Sequence, residues 1–143
     1  MNEEELTLVI IKTITQFFDA NQGVYTLFYE GQQPDQTGFD RYAELKYFGP
    51  FIEEDVDSNL HINIQVHIDC FAKSTNIYEL PKMLNYFADL ARNPIKFEDV
   101  ELCLLNNGVR VMHRGQIQIS SVYQKGIIEA DYYAEVGREL LDE

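Results

Sequence analysis

From Leu60 to Cys70, Leu60, Ile62, Ile64, Val66, Ile68 and Cys70 alternate with His61, Asn63, Gln65, His67 and Asp69. A period of two over that length marks a half-buried strand. Such a strand needs partners on either side and a layer over its apolar face. Residues 76 to 92 supply the layer: Leu80, Leu84, Phe87 and Leu90 or Ala91 fall on one helical stripe. Asn76 and Glu79 have the spacing of a capping box, and Pro81 sits late in the first turn, which blurs the helix start.

A first helix is predicted from Asn2, its cap, to about Asp19, with Glu3, Glu4 and Glu5 at the positive end of the helix dipole and Asn21 and Gly23 as the stop. Leu6, Ile10, Ile14 and Phe17 form one stripe, and Leu8, Ile11 and Phe18 a second. One stripe covers the sheet. The other faces a neighbouring chain or a long loop of the same chain. Strands are expected at 24–30 and 42–52, the latter kinked or ended by Gly49 and Pro50, with the polar loop Gly31 to Asp40 between them. After Asn93 and Pro94, a strand over Val100 to Leu105 turns back through Asn106, Asn107 and Gly108, a hairpin signal. The return arm carries Val109, Val111 and His113 on one face and Arg110, Met112 and Arg114 on the other, and continues through Ile117 and Ile119 to Tyr123. A last alternation fills 127–136, before the acidic tail GRELLDE. The fold class is α+β: a mixed or antiparallel sheet of about six strands with two helices packed on it, in the order α-β-β-β-α-β-β-β.

The length of 143 residues, with 45% hydrophobic and 13% aromatic content, suits one domain spanning 1–143. The balance of 24 acidic against 11 basic residues, a formal charge of -13, disfavours tight nucleic-acid binding, which needs clustered Lys and Arg. Such a protein can still lie beside DNA and repel it. The longest aliphatic run, Leu8 to Ile11, is far short of a membrane span, and MNEEE lacks the positive segment of a secretion signal. Cys70 and Cys103 both fall in apolar strand patterns without metal-ligand spacing, and read as buried free thiols.

No reaction emerges. His61 and His67 share a strand face but lie about 20 Å apart, too far for one metal. A zinc site would need His113 and carboxylates brought in by the fold. Ser120 or Ser121 with His113 and Asp69 makes a triad only on paper, for no nucleophile elbow surrounds either serine. There is no G-x-G-x-x-G or Walker A sequence, and the cysteines lack a basic setting that would activate them. Catalytic, cofactor and metal residues are therefore not assigned. Glu53, Glu54, Asp55 and Asp57 place four carboxylates in five residues. That run is either a solvated loop or a surface that passes something negative, or docks a basic patch. Arg110 and Arg114, flanking Met112 on one strand face, offer such a patch on an adjacent copy.

The order of elements, with INIQVHIDCFAKS leading into YELPKMLNYFADLA, resembles the tail-terminator proteins of long-tailed bacteriophages, the lambda type. The likeness covers roughly residues 3 to 137 and lies in length, element order and hydrophobic pattern. It carries over no individual functional residue. The resemblance implies a structural virion protein: a hexameric ring that caps the tail tube, ends its polymerisation and meets the neck or head-completion protein, with DNA passing through unbound. Ring closure would use a head-to-tail contact, for which Leu8, Ile11 and Phe18 of the first helix and the sheet edges are candidate surfaces. The acidic run would line the lumen. Two other readings stand beside it: another neck connector, with twelve-fold symmetry, and a cystatin-like ligand-binding or enzymatic domain, with a deep cavity lined by His61, His67 or Asp69.

Overall fold

In the computed structural model, which describes residues 2–29, 40–55, 57, 59–73, 78–97, 100–116 and 123–137, helix α1 spans Glu3–Ala20. Asn2 caps it by accepting the Glu5 N–H at 2.8 Å, and Asn21 closes it by donating from Nδ2 to the Phe17 carbonyl at 2.7 Å. The remaining elements are β1 (Leu27–Tyr29), β2 (Arg41–Glu54), β3 (Asn59–Lys73), α2 (Glu79–Ala91), β4 (Ile95–Phe97), β5 (Val100–Gln116) and β6 (Tyr123–Gly137). Pro81 fits the first turn of α2, where a backbone N–H has no intrahelical partner to lose. The expected cap, Asn76, lies outside the described residues, as do Ser120, Ser121, Ile117, Ile119, loop residues 31–39 and tail residues 138–143.

The six strands form one mixed sheet in the order β1-β2-β3-β6-β5-β4. Only β1 with β2 is parallel, and the other pairs are antiparallel. Expected and observed architecture agree in class and element order, with one correction inside it. Asn106, Asn107 and Gly108 do not reverse the chain: β5 continues through them. Register against β6 passes from Leu104↔Tyr132 to Val109↔Ala130, so five steps on β5 oppose two on β6. The three extra residues are taken up as an enlarged bulge. The turn signal is real locally, because a Cβ on Gly108 would come within 2.6 Å of the Leu105 carbonyl. What overrides a hairpin is the long partner β6, which bonds β5 on both sides of the bulge. The third post-helix strand is instead the short β4, pairing with β5 from Ile95↔Leu102 to Phe97↔Val100.

Both helices cover one face of the curled sheet. α2 lies over β3, β6 and β5, burying Leu80, Met83, Leu84, Phe87, Ala88 and Ala91, and α1 packs against β2 and β4. The core is completed by Ile62, Ile64, Val66 and Ile68 of β3 and Ile128, Ala130 and Tyr132 of β6. Hydroxyls pin the layers together: Tyr132 donates to the Ala91 carbonyl at 2.6 Å, and Tyr47 meets Thr15 at 2.5 Å. No helix among the described residues is long and apolar enough to cross a membrane.

Candidate functional site on the helix-free face

The face of the sheet turned away from the helices is built by cross-strand rows. Lys46, His67, Glu129 and Arg110 stand side by side on β2, β3, β6 and β5. Arg110 Nη2 reaches Glu129 at 2.5 Å, and His67 Nε2 lies 3.7 Å from the same carboxylate. The next row toward the β2–β3 turn is Phe48, Gln65 and Asp131, where Gln65 donates to Asp131 at 2.8 Å. Beyond it come Phe51, Asn63, Tyr133 and Cys103.

Phe48 and Phe51 share this face because of Gly49 and Pro50. Simple alternation would put residues three apart on opposite sides. Here the register moves from Phe48↔Gln65 to Phe51↔Asn63, one extra residue on β2, and the phase of the strand flips. Gly49 takes φ 107°, a conformation L side chains rarely adopt. The two bulges raise opposite walls, Phe48 and Phe51 on one side and Leu105 on the other, around a trough of about 280 Å³ whose floor includes Asn63, Gln65 and Asp131. Those wall residues are 48%, 63% and 40% exposed although the chain has a full core of its own. Chemically the trough suits apolar side chains from another molecule over a hydrogen-bonded polar floor.

At the far end of the same face, the β2–β3 turn carries the acidic run. Glu53, Glu54 and Asp57 are exposed. Asp55 is committed locally: its Oδ1 accepts the N–H of Asp57 (2.9 Å) and Asn59 (3.0 Å), and its Oδ2 meets His61 Nε2 at 2.7 Å. Those contacts, that with His61 first, hold the Asp55 carboxyl below its ordinary range, while Asp55 raises the His61 imidazole above its own. At the opposite end Asp69 is buried between Lys46 (3.0 Å) and Lys125 (3.6 Å), while Ser120, Ser121 and the side chain of His113 lie outside the described residues.

The expected interface residues divide. Leu8 points outward, 62% exposed. Phe18 does not: it is fully buried with Leu6, Ile10 and Ile14, while Phe17 is half-buried. At about 100° per residue Phe18 lies only about 40° from Ile14, and the four-residue spacing from Leu6 to Phe18 forms one stripe. Ile11 is half-buried on the shoulder of that stripe and packs on the core, because α1 is wedged between β2 and β4. Arg110 and Met112 do share the helix-free face, but Arg110 is paired within its own chain by Glu129. The side chain of Arg114 lies outside the described residues. Of the two free cysteines, Cys70 is buried as expected and Cys103 is exposed, because it stands on the uncovered face opposite Tyr133. Burial pushes both thiols up, more strongly at Cys70.

Phe48, Phe51 and Leu105 are the residues that sequence reasoning missed. The available signal was Gly-Pro inside a strand, which implies a phase change and places the flanking aromatics together. The chain matches no protein-family model and no curated protein.

Proposed function

We propose that this protein is a structural virion subunit that closes into a ring on the end of a phage tail tube, ending tube growth and forming the tail side of the head–tail joint. The observation that carries the reading is the apolar-walled trough on a sheet face that its own helices leave bare. Clustered exposed apolar residues on a chain with a complete core favour a protein partner. A ring needs two different, complementary surfaces on each subunit. The trough supplies one, and on the helix side Leu8 and Tyr86, 62% and 37% exposed, supply apolar positions for the other. The acidic β2–β3 turn and the net charge of -13 suit a subunit past which DNA slides unbound. The trough lining includes none of His61, His67 and Asp69, which speaks for contact rather than for the cystatin-like ligand domain.

Negative-stain images of purified tails incubated with the protein test this. Rings of six on tube ends, and tubes that stop growing, are expected. Bare ends or continued elongation would overturn it, and twelve-fold rings would move the protein to the neck.

A further inference from the structure

We infer that Asp55, His61 and Glu135 form a binding site for a divalent transition-metal cation of the zinc type. The three residues come from the β2–β3 turn, the start of β3 and the end of β6, and each offers one ligand atom, all within 4.8 Å of one another. Register places them together: Glu53, His61 and Glu135 form one cross-strand row on the helix-free face, and Asp55 reaches over its end.

The donors are held in place by their neighbours. With Oδ1 of Asp55 occupied by two backbone N–H groups, Oδ2 is the oxygen aimed at the imidazole. Asn59 Nδ2 donates to Glu135 Oε1 at 3.2 Å. Tyr133 stands between the other two, its hydroxyl 2.7 Å from His61 Nδ1 and 3.4 Å from Glu135 Oε2. That hydroxyl has a single proton. Given to Glu135, it leaves the oxygen to accept from Nδ1–H, which fixes the ring with Nε2 toward the Asp55 carboxylate. Without metal a proton on Nε2 bridges that 2.7 Å gap, and a bound cation takes its place. A metal-binding histidine is commonly fixed in this way, its second ring nitrogen tied by a neighbour that sets tautomer and orientation. A zinc ion with ligands at about 2.0–2.2 Å requires the Asp55–His61 gap to open by roughly half an ångström. The exposed Glu135 then completes a set of one nitrogen and two oxygens, with a remaining position for water. Among the described residues no lysine or arginine pairs with Asp55 or Glu135, so the cation that a metal must displace there is the proton on His61.

The test uses the full chain without a histidine tag, stripped with chelator. It is titrated with cobalt(II), followed by visible absorption, and with zinc(II), followed by calorimetry. One saturable equivalent is expected, with zinc displacing cobalt. His61→Asn abolishes saturable binding, Glu135→Gln weakens it at least about tenfold, and Tyr133→Phe weakens it by about 10–100-fold. His67→Asn, on the same strand face, leaves it unchanged. Circular dichroism reports folding of each variant, and if His61→Asn does not fold, the exposed Glu135→Gln decides. The inference is overturned if the wild type shows no saturable binding, if Glu135→Gln or a folded His61→Asn binds like wild type, or if His67→Asn loses as much.

Discussion

Asp69 is the buried charge of the described chain, 3% exposed, and two lysines from different strands share it. Removing one lysine leaves the other, but removing both strands a carboxylate inside the protein, which is costly. Lys46→Ala and Lys125→Ala are each expected to cost little, and the double variant to lose about 1–3 kcal/mol beyond their sum. Urea unfolding of the four proteins of the cycle measures this, and simple additivity would refute it. The Asp55–His61 pair makes a different prediction, in pH. His61 is raised above 6.5, so its contribution is complete below that value and fades as pH rises through the folded-state pKa. Asp55 is lowered below 3.8, so its contribution is complete above that value and fades as pH falls. The pair therefore contributes most between about 3.8 and 6.5. With chelator present, the stability gap between wild type and His61→Asn should be widest near pH 5 and narrower at pH 9. An equal gap at both would contradict the assignment.

Secondary-structure elements here are governed by close approach as much as by propensity. α2 sits so near β6 that a Cβ on Gly126 would fall 2.7 and 2.8 Å from the two terminal carbons of Leu84. Leu84 is buried and has little room to move. Gly126→Ala should therefore cost about 1–3 kcal/mol by overpacking, and noticeably less in a Leu84→Ala background, where the obstructing carbons are gone. Thermal or urea denaturation of the cycle tests it, and an undiminished penalty in that background would mean the contact is not the cause. The bulges show the same dominance of neighbours over local signals. Gly-Pro and Asn-Asn-Gly would each end a lone strand, yet β3 and β6 hold their partners in register on both sides and turn the breaks into bends.

Taken as one body, the protein has a side covered by its helices and a side free of them, where Tyr42, Phe71 and Tyr123 form a small buried cluster of their own. α1 and α2 cover one face of the sheet, and the other keeps a charged lattice beside an apolar trough. Phe51, 63% exposed, contributes little to folding and much to any contact made through that trough. Phe51→Ser should change unfolding free energy by no more than about 0.5 kcal/mol while reducing the fraction of tail tubes that carry a ring. Capping that persists unchanged in this variant would remove the trough from the interface.

The amino-acid sequence alone determined the class, the order of elements and most of the core. Alternation along 60–70 and the stripe Leu80, Leu84, Phe87 are local consequences of burial, and burial is written into residue type. The ends of α1 were legible too, because Asn2 and Asn21 act on backbone groups a few residues away. Three things were decided only in three dimensions. How far burial spreads beyond the stripe of Leu6, Ile10, Ile14 and Phe18 depends on the strands α1 is wedged between, so Ile11 packs on the core while Leu8 stays exposed. Whether a breaker ends a strand depends on the hydrogen bonds its neighbours offer, so Asn106 to Gly108 became a bulge. The trough joins Phe48 to Tyr132, 84 positions apart in sequence, and the cluster joins Asp55 to Glu135, 80 apart. Their proximity follows from strand register, which the pairing of whole strands sets and no short window of sequence contains.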